Sequence, residues 1–249
     1  MKIDLENKVA LVADGSSAIG KAICLQLAES GARVSCLTSS EKAESECRNY
    51  FGEKNLEVNI YRADIGNFVE CGKILAEIEQ TSGVIDIMIN NADFDCSENF
   101  HEMSLQQWQD SIHVNLDSVY NLCRQISEKM SERHYGRIIN ISSVYAKKGE
   151  TGKSAYAASK SGLHGFTMAL SQELARKGVT VNTVSPGHIK TEREQGLSLT
   201  EANSIIANIP ASRMGEANEV ASLVDFLCSE QASFITGTDI AINGGQHIY

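Results

Sequence analysis

The feature that most constrains this chain is a regular alternation of two kinds of segment. Short apolar runs rich in Val and Ile recur at Val9–Ala13, Val34–Leu37, Leu56–Tyr61, Val84–Asn90, Arg137–Ser142, Val179–Val184 and Asp239–Ile242. Runs of this kind suit strands buried on both faces. Between them lie stretches with helical character, Ile19–Ser30, Glu41–Phe51, Phe68–Thr81, Leu105–Arg133, Ala155–Lys177 and Ala217–Ser229. Neighbouring parallel strands need long crossovers, and right-handed crossovers place helices on both faces of the sheet. The expected fold is therefore α/β: a single Rossmann-type domain over residues 1–249, with a doubly wound parallel sheet of about seven strands.

Only Pro186 and Pro210 interrupt the chain as prolines, and no Gly/Ser- or Pro-rich linker divides it, so one domain fits better than two. Gly187 to about Pro210 is polar and too long for an ordinary connection, and is expected to form a lid beside the sheet. A net charge of -10 repels polyanions and removes nucleic acid from the expected partners. Seven cysteines include no C-x-x-C pair and no zinc spacing, which fits reduced thiols and predicts no metal site. The first residues lack the basic start and apolar stretch of a signal peptide, and no run reaches the ~18 residues that cross a bilayer. The expected setting is the cytoplasm, away from membranes.

The first apolar run leads into Asp14-Gly15-Ser16-Ser17-Ala18-Ile19-Gly20 and then a helix. At this position a Rossmann fold lays a dinucleotide pyrophosphate against backbone N–H groups and a helix N-terminus. Gly15 through Lys21 also spells G-x-x-x-x-G-K, but Ala22 follows where a triphosphate-binding loop needs a hydroxyl for magnesium. A tight turn without a ligand is the plain alternative. Further along, Tyr156 and Lys160 stand four residues apart in a helical stretch, on one face. The run Ile138–Ile141 ends in Ser142-Ser143 at the carboxyl edge of the sheet, where open α/β folds bind ligands. Such a set suits proton transfer to a carbonyl oxygen as hydride reaches its carbon. A phenol of ordinary pKa about 10 serves near neutrality when a cation stabilises the phenolate, and the Ser143 hydroxyl would polarise the carbonyl.

Through these residues, with Asn90-Asn91-Ala92, Asn115 in His-Val-Asn-Leu, Pro186-Gly187-His188-Ile189-Lys190-Thr191, Phe234-Ile235-Thr236-Gly237 and Asn243-Gly244-Gly245, the chain resembles the classical short-chain dehydrogenases/reductases. Within them it is most similar to the 3-oxoacyl-[acyl-carrier-protein] reductases, along essentially its whole length. The resemblance implies Tyr156 as general acid/base, Ser143 as hydroxyl donor to substrate, Lys160 as a ribose ligand that lowers the tyrosine pKa, and Asn115 as anchor of a relay water. For a nicotinamide dinucleotide it implies Gly15, Ser16, Ser17, Ile19 and Gly20 at the phosphates, and Asp64 with Ile65 at the adenine. It places Asn91 and Ala92 beside the adenosine ribose, and Pro186, Gly187, Ile189 and Thr191 around the nicotinamide, with Tyr156 and Lys160 also touching the cofactor.

The chain departs from the family's usual loop, Thr-Gly-x-x-x-Gly-Ile-Gly. Ala13-Asp14 replaces Thr-Gly, Ala18 replaces the second glycine, and Asp93 replaces the glycine customary after Asn90-Asn91-Ala92. An Asp14 carboxylate facing the phosphates would weaken dinucleotide binding, whereas one turned back would cap the loop's own N–H groups. No acid closes the second strand. Thr38, Ser39 and Ser40 stand there instead, able to hydrogen-bond a 2′-phosphate, so NADP is expected over NAD, although Ser17 occupies a place where many NADP-dependent members carry arginine.

The leading functional expectation is NADP-dependent reduction of a 3-oxoacyl thioester, on acyl carrier protein or coenzyme A, to the 3-hydroxyacyl product. Arg133, His134, Arg176 and Lys177 are candidates for docking an acidic carrier protein, or else balance two helix macrodipoles. A free ketone or secondary alcohol is an alternative substrate. The altered Asp14, Ala18 and Asp93 fit a third reading, a weakly active subunit that stabilises a homologue in a mixed oligomer. The resemblance also implies a homotetramer assembled through the two long helices and the C-terminal region.

Overall fold

The computed structural model describes residues 3–191 and 196–248. Seven parallel strands form one sheet: β1 (Val9–Ala13), β2 (Arg33–Thr38), β3 (Val58–Arg62), β4 (Ile87–Asn90), β5 (Gly136–Ile141), β6 (Val179–Pro186) and β9 (Asp239–Ile242), in the order β3-β2-β1-β4-β5-β6-β9. The expected doubly wound sheet is what the chain builds. Two-residue strands β7 (Ile189–Lys190) and β8 (Gly215–Glu216) pair separately.

Alternate residues of each central strand face opposite sides, and both sides are apolar. Ala10, Val12, Ile87, Ile89 and Ile139 pack beneath α1 (Ala18–Glu29), α2 (Glu41–Glu53) and the last long helix, α9 (Ala217–Cys228). Leu11, Met88, Ile138 and Val181 pack beneath α3 (Phe68–Ser82), α5 (Ser118–Glu132) and α7 (Ser154–Leu174). Burying one such Ile or Leu contributes about 1.5–3 kcal/mol, which is why the strands read as unbroken apolar runs.

The stretch 105–133 is not one uniform helix. α4 (Leu105–Ile112) passes through a π turn at His113–Asp117 into α5. The 187–210 stretch also differs from an irregular lid, because it holds helix α8 (Leu199–Ala207), closed at its start by a reciprocal Ser198–Glu201 capping box. The lid expected there falls partly on 192–195, outside the described residues. A short helix, α6 (Tyr145–Lys148), follows β5.

The chain changes winding direction at β1, which has β2 on one side and β4 on the other. The carboxyl ends of β1 and β4 thus flank the crevice where open α/β sheets take ligands. Arg133, His134, Arg176 and Lys177 end the helices that precede β5 and β6, so within one chain they stand at the opposite, amino edge of the sheet. Arg133 is committed there, donating to Asp86 Oδ1 and to the Ile85 carbonyl at 2.7 Å each.

Candidate active site

The turn after β1 begins at Asp14, whose φ of 56° is left-handed. Gly15 N–H donates to the Leu37 carbonyl at 3.1 Å, tying the turn to β2. Ser17 caps α1, its Oγ accepting from Gly20 N–H at 3.1 Å. Gly20 has no room for a side chain, because a Cβ there would lie 2.2 Å from the Asp14 carbonyl oxygen and 2.8 Å from Gly15 Cα. The Asp14 carboxylate turns back into its own loop, accepting from Ser16 Oγ at 2.6 Å and from the backbone N–H groups of Ser16 and Ser17. Burial, reinforced by the charge of Asp93, holds its pKa above the ordinary carboxylate value despite those donors. Of the two orientations open to Asp14, the cap is the one adopted.

Asn91, just past β4, closes the turn from the other side of the crevice. Its Nδ2 donates to the Asp14 carbonyl at 2.8 Å and to Ser17 Oγ at 2.9 Å. The side chain fixes the loop, and it faces a different chamber from its neighbour Ala92.

Two cavities meet at this switch point. The larger, about 940 Å³, is lined by Ser17, Ile19, Asn91, Ser143, Tyr156, Lys160, Pro186, Gly187, Ile189 and Thr191. The smaller, about 610 Å³, is lined by Asp14, Thr38, Ser39, Asp64, Ile65 and Ala92. Asp93 lines both. Of the expected site residues, Gly15, Ser16, Gly20 and Asn115 line neither chamber, being spent on shaping the walls.

Ser143 follows β5 and receives the Tyr145 N–H on its Oγ at 3.2 Å. It is hydrogen-bonded to Tyr156, near the start of α7. The Tyr156 hydroxyl donates to Asp93 Oδ1 at 2.9 Å, and Lys160 Nζ meets the same oxygen at 2.9 Å. Lys160 Nζ also donates to the carbonyls of Ile141, at 3.1 Å, and Ala92, at 3.3 Å. Burial first, then the Asp93 charge, push the Tyr156 pKa well above its usual value. The lowering expected from Lys160 does not overcome these two effects. Tyr156 consequently keeps its proton and can donate it.

Asn115 sits in the π turn and clasps the segment after β4. Its Oδ1 accepts from Phe94 N–H at 2.7 Å, while its Nδ2 donates to the Phe94 carbonyl at 3.1 Å and to Ser159 Oγ at 2.9 Å. Its side chain thereby anchors Phe94, next to Asp93, against α7. One extra residue in the helical turn provides this reach.

Two lining groups, Tyr145 and His188, and a third residue behind them, Gln246, were not expected from the sequence. Tyr145 Oη and His188 Nε2 are hydrogen-bonded at 3.1 Å, and Gln246 Nε2 meets His188 Nδ1 at 2.8 Å. His188 lies inside the Pro186–Thr191 motif and could have been found there, whereas nothing local marks Gln246. Asp93, noted as a departure but not placed among the site residues, proves to touch both Tyr156 and Lys160. Among the described residues no group of His, Cys, Asp or Glu could hold a metal, and no helix is long and apolar enough to cross a membrane.

Residues 13–247 match the family model described as Enoyl-(Acyl carrier protein) reductase. The chain is 40% identical over 240 residues to the acetoacetyl-CoA reductase of Allochromatium vinosum, covering 96% of this chain and 98% of that protein. It is 39% identical over 249 residues to the 3-oxoacyl-[acyl-carrier-protein] reductase FabG of Escherichia coli K12, covering 99% and 100%. The nodulation protein G of Azospirillum brasilense is 38% identical over 246 residues, covering 97% and 98%. The chain belongs to the short-chain dehydrogenase/reductase family. It is an oxidoreductase of that type, and the Ser143, Tyr156 and Lys160 cluster lies where the fold opens its crevice.

Proposed function

We propose that this short-chain dehydrogenase/reductase reduces 3-oxoacyl thioesters, carried on coenzyme A or acyl carrier protein, to 3-hydroxyacyl thioesters with NADPH. The observation that carries the reading is the Tyr156 hydroxyl beside Ser143 and Lys160 in the wall of a cleft at the sheet's switch point. The names of the relatives supply the substrate class.

The residues fit a dinucleotide. Two chambers flank the N-terminus of α1, and Gly20 leaves no side chain over the turn between them. Thr38 and Ser39 line the smaller chamber with no acid at the end of β2, which favours the 2′-phosphorylated cofactor; the Thr38 hydroxyl donates to the Tyr61 carbonyl at 3.3 Å, so Ser39 is the hydroxyl that would meet the phosphate. Asp64 and Ile65 would border the adenine, and Pro186, Gly187, Ile189 and Thr191 the nicotinamide. The bound cofactor supplies a hydride to the β-carbonyl carbon. Ser143 orients the carbonyl oxygen, Tyr156 delivers its proton to that oxygen, and Lys160 stabilises the phenolate left behind.

A homotetramer completes the proposal. Leu105, Tyr120 and Met168 expose 71%, 53% and 52% of their surface on α4, α5 and α7, the faces through which two copies would pack. The function is tested by following NADPH oxidation with acetoacetyl-CoA, a 3-oxoacyl carrier protein and a simple free ketone in parallel. Turnover of the thioesters at least tenfold more efficient than that of the ketone is expected; preference for the ketone overturns the substrate class.

A further inference from the structure

Asp93 stands at the seam of the two chambers, on the segment that leaves β4 at the switch point. A ligand long enough to reach from one chamber into the other must pass it. Its Oδ1 accepts the Tyr156 hydroxyl and pairs with Lys160 Nζ, both at 2.9 Å. The consequences follow from counting donors. Tyr156 has one O–H, and it points at Asp93 rather than at a substrate oxygen. Lys160 donates hydrogen bonds to the carbonyls of Ile141 and Ala92 and forms an ion pair with Asp93. The two carbonyls belong to the backbone and stay, and the carboxylate lies on the remaining side of the ammonium, where a ligand hydroxyl would approach it. The ammonium is buried, with 1% of its side chain exposed, whereas Asp93 keeps 42% of its side chain exposed and has solvent to swing into.

We propose that Asp93 is a plug: in the free protein its carboxylate occupies the seat between Tyr156 and Lys160, and it must swing out before a dinucleotide can span the crevice. This rests on the dinucleotide reading above. The device lowers apparent cofactor affinity by the fraction of molecules whose seat is open, without blocking the adenosine chamber. It also couples the two functions of the site, since the displacement that admits the cofactor frees the Tyr156 proton for the substrate.

The test is calorimetric titration of the full chain, and of its Asp93→Ala and Asp93→Asn variants, with NADPH and with 2′,5′-ADP. The second probe carries the adenosine half and has no group to place between Tyr156 and Lys160. Loss of the plug is expected to tighten NADPH by about tenfold in Asp93→Ala and by less in Asp93→Asn, whose carboxamide oxygen still accepts from Tyr156, while 2′,5′-ADP changes less than about threefold in both. Equal tightening of both probes would show general charge repulsion, and unchanged NADPH affinity in both variants would show a carboxylate that costs nothing to move; either overturns the plug. NADPH binding to none of the three proteins, with 2′,5′-ADP also unbound, would overturn the dinucleotide reading itself and the plug with it.

Discussion

Gly20→Ala sets opposing effects against each other at one atom. Alanine is the better helix former by about 1 kcal/mol, and Gly20 lies in the first turn of α1. The added Cβ, however, would sit 2.2 Å from the Asp14 carbonyl oxygen, where ordinary C···O contacts begin near ~3.3 Å. The carbonyl must retreat by roughly 1 Å. That stretches its 2.8 Å bond from Asn91 and its 3.3 Å bond from Ser17 beyond useful length. Overpacking costs about 1–3 kcal/mol and each lost bond about 1, so the clash outweighs the propensity gain and leaves a net loss of about 2–4 kcal/mol. For a chain of this size that is a fall in Tm of about 5–15 °C. Gly52→Ala is the control, since nothing lies within 4 Å of its hypothetical Cβ in the last turn of α2, and it should stabilise by a few tenths and at most about 1 kcal/mol. Urea denaturation of the two variants beside wild type measures both. Equal stability of Gly20→Ala and Gly52→Ala would refute the packing argument for the turn.

Tyr156→Phe should lower turnover by about two to four orders of magnitude while NADPH affinity in calorimetry stays within a few-fold. Because burial raises the Tyr156 pKa and the reduction needs its protonated form, the kcat/KM profile should hold no alkaline limb through neutral pH. With NADPH saturating, Asp93→Asn should leave that profile in place, because the cofactor has already displaced the carboxylate; in the cofactor-free protein the same variant should lower the pH at which Tyr156 ionises, and a rise contradicts the pairing. Asn115→Ala removes the clasp on Phe94 and should destabilise the fold by about 1–3 kcal/mol in the same urea assay. Light scattering at micromolar concentration should give four times the 27.1 kDa chain mass, and a monomer peak would remove the tetramer.

Much of this architecture is legible along the chain because its causes are local. Val9–Ala13 and Asn90 sit where apolar runs stop, and the turn residues between them are read from their neighbours. The four-residue spacing of Tyr156 and Lys160 survives folding because α7 is regular. What escapes the sequence depends on contacts across long separations. The π turn at His113–Asp117 carries Asn115, whose clasp on Phe94 joins residues 21 apart in the chain, a pairing that no periodicity encodes. Asn91 reads as a ligand neighbour, yet it holds a turn 77 residues away. Helix α8 is a different case, since Ser198 and Glu201 form a capping box visible in the sequence, masked by the polarity of the surrounding stretch. Asp93 is the sharpest instance: a substitution read as one more acidic group near the cofactor becomes, once β4 and α7 are brought side by side, the direct partner of both catalytic candidates.

The central claim, that this chain delivers hydride to the β-carbonyl carbon of a 3-oxoacyl thioester, is most directly tested by mass spectrometry. Acetoacetyl-CoA is incubated with the wild-type chain and NADPH carrying deuterium at both C4 positions. The account predicts a 3-hydroxybutyryl thioester with one deuterium on C3. NADPH consumption with no label at C3, or label appearing elsewhere in the acyl chain, would contradict it.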